Sequence, residues 1–168
     1  GYRQSLPRAV KPGTLVAVGK VSGNVFQTAF LGIVEGTGSA KIAVPYVRLA
    51  SDANVNADQR SALAIQNIGS APATNVTVKY IDRNGTVKGT QSLGTLAAGA
   101  KGNSSPKLAN ALDGCGRFGI YGDGCASLQF GGGAIVTADN GAQLAVVVRV
   151  ISGTSNQSGE DYNGINVQ

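Results

Sequence analysis

Apolar and polar residues alternate with a period of two along most of this chain, and Gly, Asn and Asp interrupt the alternation. A period of two puts successive side chains on opposite faces of a strand. In TNVTVKYI (74–81), Val76, Val78 and Tyr80 fall on one face, with Asn75, Thr77 and Lys79 on the other. The pattern predicts a half-buried strand. It runs into Asp82-Arg83-Asn84-Gly85, whose Asn-Gly predicts a hairpin turn with positive φ, and TVKGTQSL returns as the partner strand. ALAIQNI (62–68) is expected as another strand, ended by Gly69-Ser70-Ala71-Pro72. Further strands are expected at 41–49, 126–130, 133–138 and 143–152, with Pro45 marking an edge strand or a bulge. Only KLANALDG (107–114) reads as helical, for two turns at most. Many short strands with regular turn signals and almost no helix predict an all-β fold, an antiparallel β-sandwich.

One strand unit occurs twice. LVAVGKVSG (15–23) and LAVVVRVISG (144–153) both open on Leu, place a basic residue at the same point (Lys20, Arg149) and close on Ser-Gly. The likeness resumes in FLGI (Phe30–Ile33) and YNGI (Tyr162–Ile165). In the later copy Leu144, Val146, Val148 and Val150 share one face, while Ala145, Val147 and Ile151 make the other apolar except at Arg149. Apolarity on both faces places a strand deep in a sheet. In the earlier copy Val16 and Val18 share a face, Leu15, Ala17 and Val21 the other, and Gly19 stands where the later copy has Val148. A complete sandwich is expected over residues 37–168, ending in its own copy of the unit, so residues 1–36 form a surplus N-terminal strand extension. Three readings are open. The surplus strands pair within the same sandwich and widen its sheets; they are the tail of a preceding repeat; or they are donor strands for an edge on another copy of the chain. A sheet edge offers unpaired N–H and C=O groups to such a strand.

Composition narrows the function. Hydrophobic residues are 42% of the chain, and the longest apolar run is too short to cross a bilayer, so no membrane insertion is expected. The net charge is +5, but Lys and Arg are scattered singly, which argues against nucleic acid as a partner. Few charges and abundant small polar residues suit a secreted, surface-exposed β protein, and the start at Gly1 in place of Met fits a removed leader or a trimmed end. His, Trp and Met are absent. Without His the commonest general base and metal ligand is missing, which argues against most hydrolase mechanisms and leaves carboxylate or lysine chemistry open; Asp, Glu and Lys show no defined spacing, so neither an enzyme nor a cofactor is expected. Without Trp an aromatic platform for cell-surface glycans is thin.

Residues 65–102 carry a more specific pattern: Asn67-Ile68-Gly69, then Ala73 through Val78, Tyr80, Asp82 to Gly85, and Leu96 to Gly99. This resembles bacterial extracellular immunoglobulin-like modules of the cell-adhesion-related (CARDB) kind. The chain is also similar to repeats in surface proteins of filamentous green bacteria, with Val44-Pro45-Tyr46-Val47 before that pattern and Tyr162-Asn163-Gly164-Ile165 closing the unit. The resemblance implies an immunoglobulin-like sandwich with a role in adhesion or surface architecture. It carries no catalytic residues, and the insertion at Cys115–Cys125 departs from it.

Cys115 and Cys125 flank GRFGIYGDG. In a secreted chain two such cysteines are expected to close a disulfide loop worth about 2–3 kcal/mol; no further Cys or His is at hand for a metal site. Gly114, Gly116 and Gly119 match a dinucleotide-binding spacing by chance, with no strand-then-helix context. Asp113, Asp123 and Asp139 are read as turn residues, their spacing matching no calcium loop. Asn75, Asn84, Asn103 and Asn156 head sequons and are candidate glycan acceptors.

The expectation that follows is a structural subunit of an extracellular filament or surface layer. It polymerises head-to-tail with copies of itself, and the donor strands contribute Leu15, Val16, Val18, Val21, Phe26, Phe30 and Ile33. The alternative is a monomeric surface adhesion or carbohydrate-binding module.

Overall fold

The computed structural model describes residues 17–22, 27–34, 36–50, 59–111, 129–139, 141–152 and 158–167. Among the described residues there are eleven strands and no α-helix. β1 (Val18–Ser22) and β2 (Gln27–Leu31) form a two-stranded sheet of their own. The others are β3 (Lys41–Ala50), β4 (Gln59–Asn67), β5 (Ala73–Asp82), β6 (Val87–Leu96), β7 (Lys101–Ser104), β8 (Gln129–Thr137), β9 (Leu144–Ser152), β10 (Ser158–Asn163) and β11 (Ile165–Asn166). These nine join one sheet in the order β10–β9–β4–β3–β8–β5–β6, with β7 on β4 and β11 on β3. Every ladder is antiparallel, so the chain is all-β and antiparallel, as its alternation predicts.

The main sheet divides at β3. Most of this strand pairs β8, Ala43 and Ile42 pair β11, and its last residues, Leu49 and Ala50, pair Arg60 and Gln59 of β4. The β3–β8 register slips between Val44 and Val47, around Pro45. Pro45 cannot donate to a ladder, so a bulge forms there. The strand is nevertheless an interior one.

Both limbs of the sheet feed one core. Ile42, Val44, Leu63, Ile65, Val76, Val78, Val136, Val146 and Val148 are buried in it. Tyr80 packs edge-to-face on Phe130, ring centroids 5.7 Å apart. Its hydroxyl lies 2.8 Å from Ser104 Oγ, tying β5 to β7 on the other limb. A sheet closing over its own core in this way is consistent with a sandwich.

The hairpin turn expected at Asp82–Gly85 forms, with the positive φ at Gly85 (84°). The Gly85 N–H donates to Asp82 O and the Thr86 N–H to Asp82 Oδ1, a turn followed by a left-handed glycine. Two other local expectations are corrected. The segments expected at 126–130 and 133–138 belong to one strand, β8, running unbroken from Gln129 through Gly131, Gly132 and Gly133; residues 126–128 lie outside the described residues. The helical reading of 107–114 reduces to a single turn over its described part. Asn110 closes that turn with φ 50°. Its N–H bonds Lys107 O, and the Ala111 N–H bonds Pro106 O, the paired contacts with which a left-handed residue ends a helix.

Tyr162 on β10 donates its hydroxyl to Tyr46 O. Burial pushes the Tyr162 phenol up to about 12, the bond to Tyr46 O opposing the shift. Burial also raises Tyr80 well above its ordinary value, and the bond to Ser104 opposes this. Both folded values exceed the unfolded one of 10.0, so the stability they contribute is full below pH 10.0 and is lost as pH rises through the folded values. Alkaline titration followed by tyrosinate absorbance and circular dichroism checks this. Two of the five tyrosines should ionise only together with loss of the sheet signal. Free ionisation of all five with the sheet intact would refute it.

Candidate interaction surface

The duplicated unit is duplicated in three dimensions. In the N-terminal hairpin Val18 faces Leu31, Gly19 faces Phe30 and Lys20 faces Ala29. In the C-terminal hairpin Val147 faces Asn163, Val148 faces Tyr162 and Arg149 faces Asp161. These registers coincide position for position with the likeness between the two segments. The closing bond is repeated too: the Gly32 N–H donates to Ala17 O at 2.6 Å, and the Gly164 N–H to Val146 O at 2.9 Å.

The surroundings differ. β9 pairs β4 along its whole length, from Leu144–Asn67 to Ser152–Gln59. Among the described residues β1 pairs only β2, and neither strand joins the main ladder. The hairpin therefore does not widen the main sheet. β2 instead runs close beside β10, and a cavity at the seam between the hairpin and the outer face of β4 and β9 is lined by Phe30, Ile33, Ala64, Gln66, Ala145 and Val147. This is why β9 is apolar on both sides: Val146 and Val148 fill the core, while Ala145 and Val147 meet the hairpin.

Two substitutions between the copies fit this position. A side chain at Gly19 would overlap the Phe30 ring, so glycine in place of the valine found at 148 lets the ring lie flat across β1 and thins the hairpin. Arg149 makes two bonds to its cross-strand partner, Nε to Asp161 Oδ1 at 2.9 Å and Nη2 to Oδ2 at 3.0 Å. The Asp161 side chain is fully buried while Arg149 is 34% exposed, and this bond raises the guanidinium pKa. In the first copy Ala29 replaces the acid and Lys20 is exposed.

Polar fastenings sit at the hairpin's stalk. Asn163 Nδ2 donates to Leu31 O at 2.8 Å and Asn166 Nδ2 to Thr37 O at 2.5 Å. Sequence reading marked the Tyr-Asn-Gly-Ile motif as a repeat but missed these two amides, whose partners lie about 130 residues away, at |i−j| of 132 and 129. The opposite face of the hairpin is open: Val18 is 62% and its partner Leu31 60% exposed, with Val34 beyond them at 61%.

Of the expected donor residues, Val18 is exposed and Phe30 and Ile33 are half-buried at the seam, and Val21 pairs Thr28. Leu15, Val16 and Phe26 lie outside the described residues, as do Cys115, Cys125, Asp113, Asp123 and Asn156. Asn84 is exposed at the tip of the β5–β6 hairpin and Asn103 is exposed on β7. Asn75 has φ 54° and donates its amide to both Asp139 oxygens, at 3.1 and 2.9 Å. The Thr74 hydroxyl donates to Asp139 as well. These bonds, Thr74 foremost, hold the Asp139 carboxyl below the usual carboxylate range, so it is a loop tie between β5 and the turn after β8. Among the described residues no three Cys, Asp or Glu side chains gather to hold a metal ion.

Comparison with family models, with curated proteins and with solved structures found no match.

Proposed function

We propose that the chain is a structural subunit of an extracellular filament or surface layer, joined head-to-tail through the N-terminal hairpin that one copy donates to the next. One observation carries this reading. The hairpin repeats β9–β10 in register, yet among the described residues β1 has no strand where β9 has β4. A hairpin with the local form of a mid-sheet pair, held outside the main ladder, supports its use as an element that one copy donates to the next. Donor and acceptor are different surfaces of one molecule, so each contact leaves a new donor and a new acceptor free, and the series stays open unless the rotation closes a ring. An export route and a cell-surface location belong to this reading through the composition and the resemblance to bacterial surface repeats.

Sedimentation velocity over a wide concentration range tests it. The expected result is a ladder of species growing with concentration. A single monomer boundary at every concentration would leave the hairpin a purely internal cover and overturn the reading.

A further inference from the structure

The seam under the hairpin specifies its own acceptor. Phe30 and Ile33 share a cavity with Ala64, Ala145 and Val147 on the outer face of β4 and β9, β2 runs beside β10, and the amides of Asn163 and Asn166 donate to Leu31 O and Thr37 O. Each of these contacts joins the hairpin or its stalk to the body, and all of them can form equally well with the body of a second copy. Only the stalk decides between the two. It turns back on itself at 34–37, where the Thr37 N–H and hydroxyl both donate to Val34 O (3.1 and 2.6 Å) and Gly36 has φ 78°. With that turn opened, residues 32–38 extend to about 23–25 Å at 3.3–3.6 Å per residue, enough to carry the hairpin off its own face.

We infer that the acceptor for the donated hairpin is the outer face of β4 and β9, with Asn163 and Asn166 as its clamp, so that copies join by exchanging the hairpin with the 34–37 turn as hinge. The inference rests on the assembly reading above and names the surface that reading leaves open. Exchange keeps every seam contact and gives up only the hinge turn and the freedom of the separate chains, which is why swapping an identical element is a low-cost route to association. A hinge too short to fold back favours exchange further.

The test uses the full chain in ordinary and nitrogen-15 forms, mixed and allowed to assemble, then treated with a lysine-reactive cross-linker. Lys20 is on the hairpin and Lys101 lines the seam. Lys20–Lys101 links joining one light and one heavy peptide are expected in the assembled fraction at the proportion random mixing gives, and only single-isotope links in the monomer fraction. An assembled fraction with single-isotope links alone overturns the inference and leaves the assembly reading standing. Absence of any assembled fraction overturns both. A second variant lacking Glu35 and Gly36, which shortens the hinge but keeps Thr37 O for Asn166, should lose its monomer fraction at concentrations where the parent chain is mostly monomeric. A monomer fraction unchanged by that deletion would also count against the hinge.

Discussion

Replacing Asn67 by Leu is expected to lower the unfolding free energy by about 3–4 kcal/mol, from several buried bonds at about 1–3 kcal/mol each. Asn67 is fully buried at the end of β4. Its Nδ2 donates to Ala71 O at 2.8 Å, Leu96 O at 2.9 Å and Ala97 O at 3.2 Å, and its Oδ1 accepts the Gly69 N–H at 3.0 Å. One side chain thus holds the β4–β5 loop to the β6–β7 connection. Leucine has similar volume, so packing is nearly preserved and the loss is that of the polar bonds. It strands acceptors on two loops as well as the Gly69 donor. Denaturant unfolding should show a large drop in midpoint with an unchanged slope. A loss below about 1 kcal/mol would mean that water replaces the amide.

Gly132→Ala is expected to cost at least as much as severe overpacking, about 3 kcal/mol or more. A methyl at Gly132 would overlap the Ile81 carbonyl oxygen and come within 3.0 Å of Asp82 Cα. Both are main-chain atoms of β5, so no side chain can turn aside. On the other edge Gly132 pairs Val47, just past the β3 bulge. The change should therefore disturb two ladders at once, and poor recovery of soluble protein or a large fall in thermal midpoint is the expected result. Stability within about 0.5 kcal/mol of the parent, the range of ordinary surface changes, would show that β5 can yield.

The strands that alternate cleanly were legible from the sequence because period and burial agree. Val76, Val78 and Tyr80 are fully buried and Asn75 and Lys79 exposed, as their alternation requires. What the sequence hid depends on distant partners. The steric demand on Gly132 comes from β5, some 50 residues earlier by position, and reads locally only as a glycine run. Asn67 stood out as part of a motif, but its bonds to Leu96 and Ala97 are set by the tertiary fold. The helical pattern of 107–114 came from Leu and Ala, and the left-handed Asn110 limited it.

The interaction surface was legible in part. The likeness of the two ends carried over into identical strand registers, because matching residues at matching spacing build matching hairpins. The hairpin's position over the outer face was not legible. Gly19 in place of valine was visible, but its meaning depends on the Phe30 ring lying across it.

The most direct test of hairpin-mediated assembly is negative-stain electron microscopy of the full chain beside the same chain lacking residues 1–36. Among the described residues the buried core begins at Ile42 and includes none of residues 17–22 or 27–34, so the shortened chain should fold, as circular dichroism would confirm. Fibres or ordered sheets from the full chain, and compact single particles from the shortened one, are the results this account predicts. Compact particles from both, or fibres from the shortened chain as well, would contradict it.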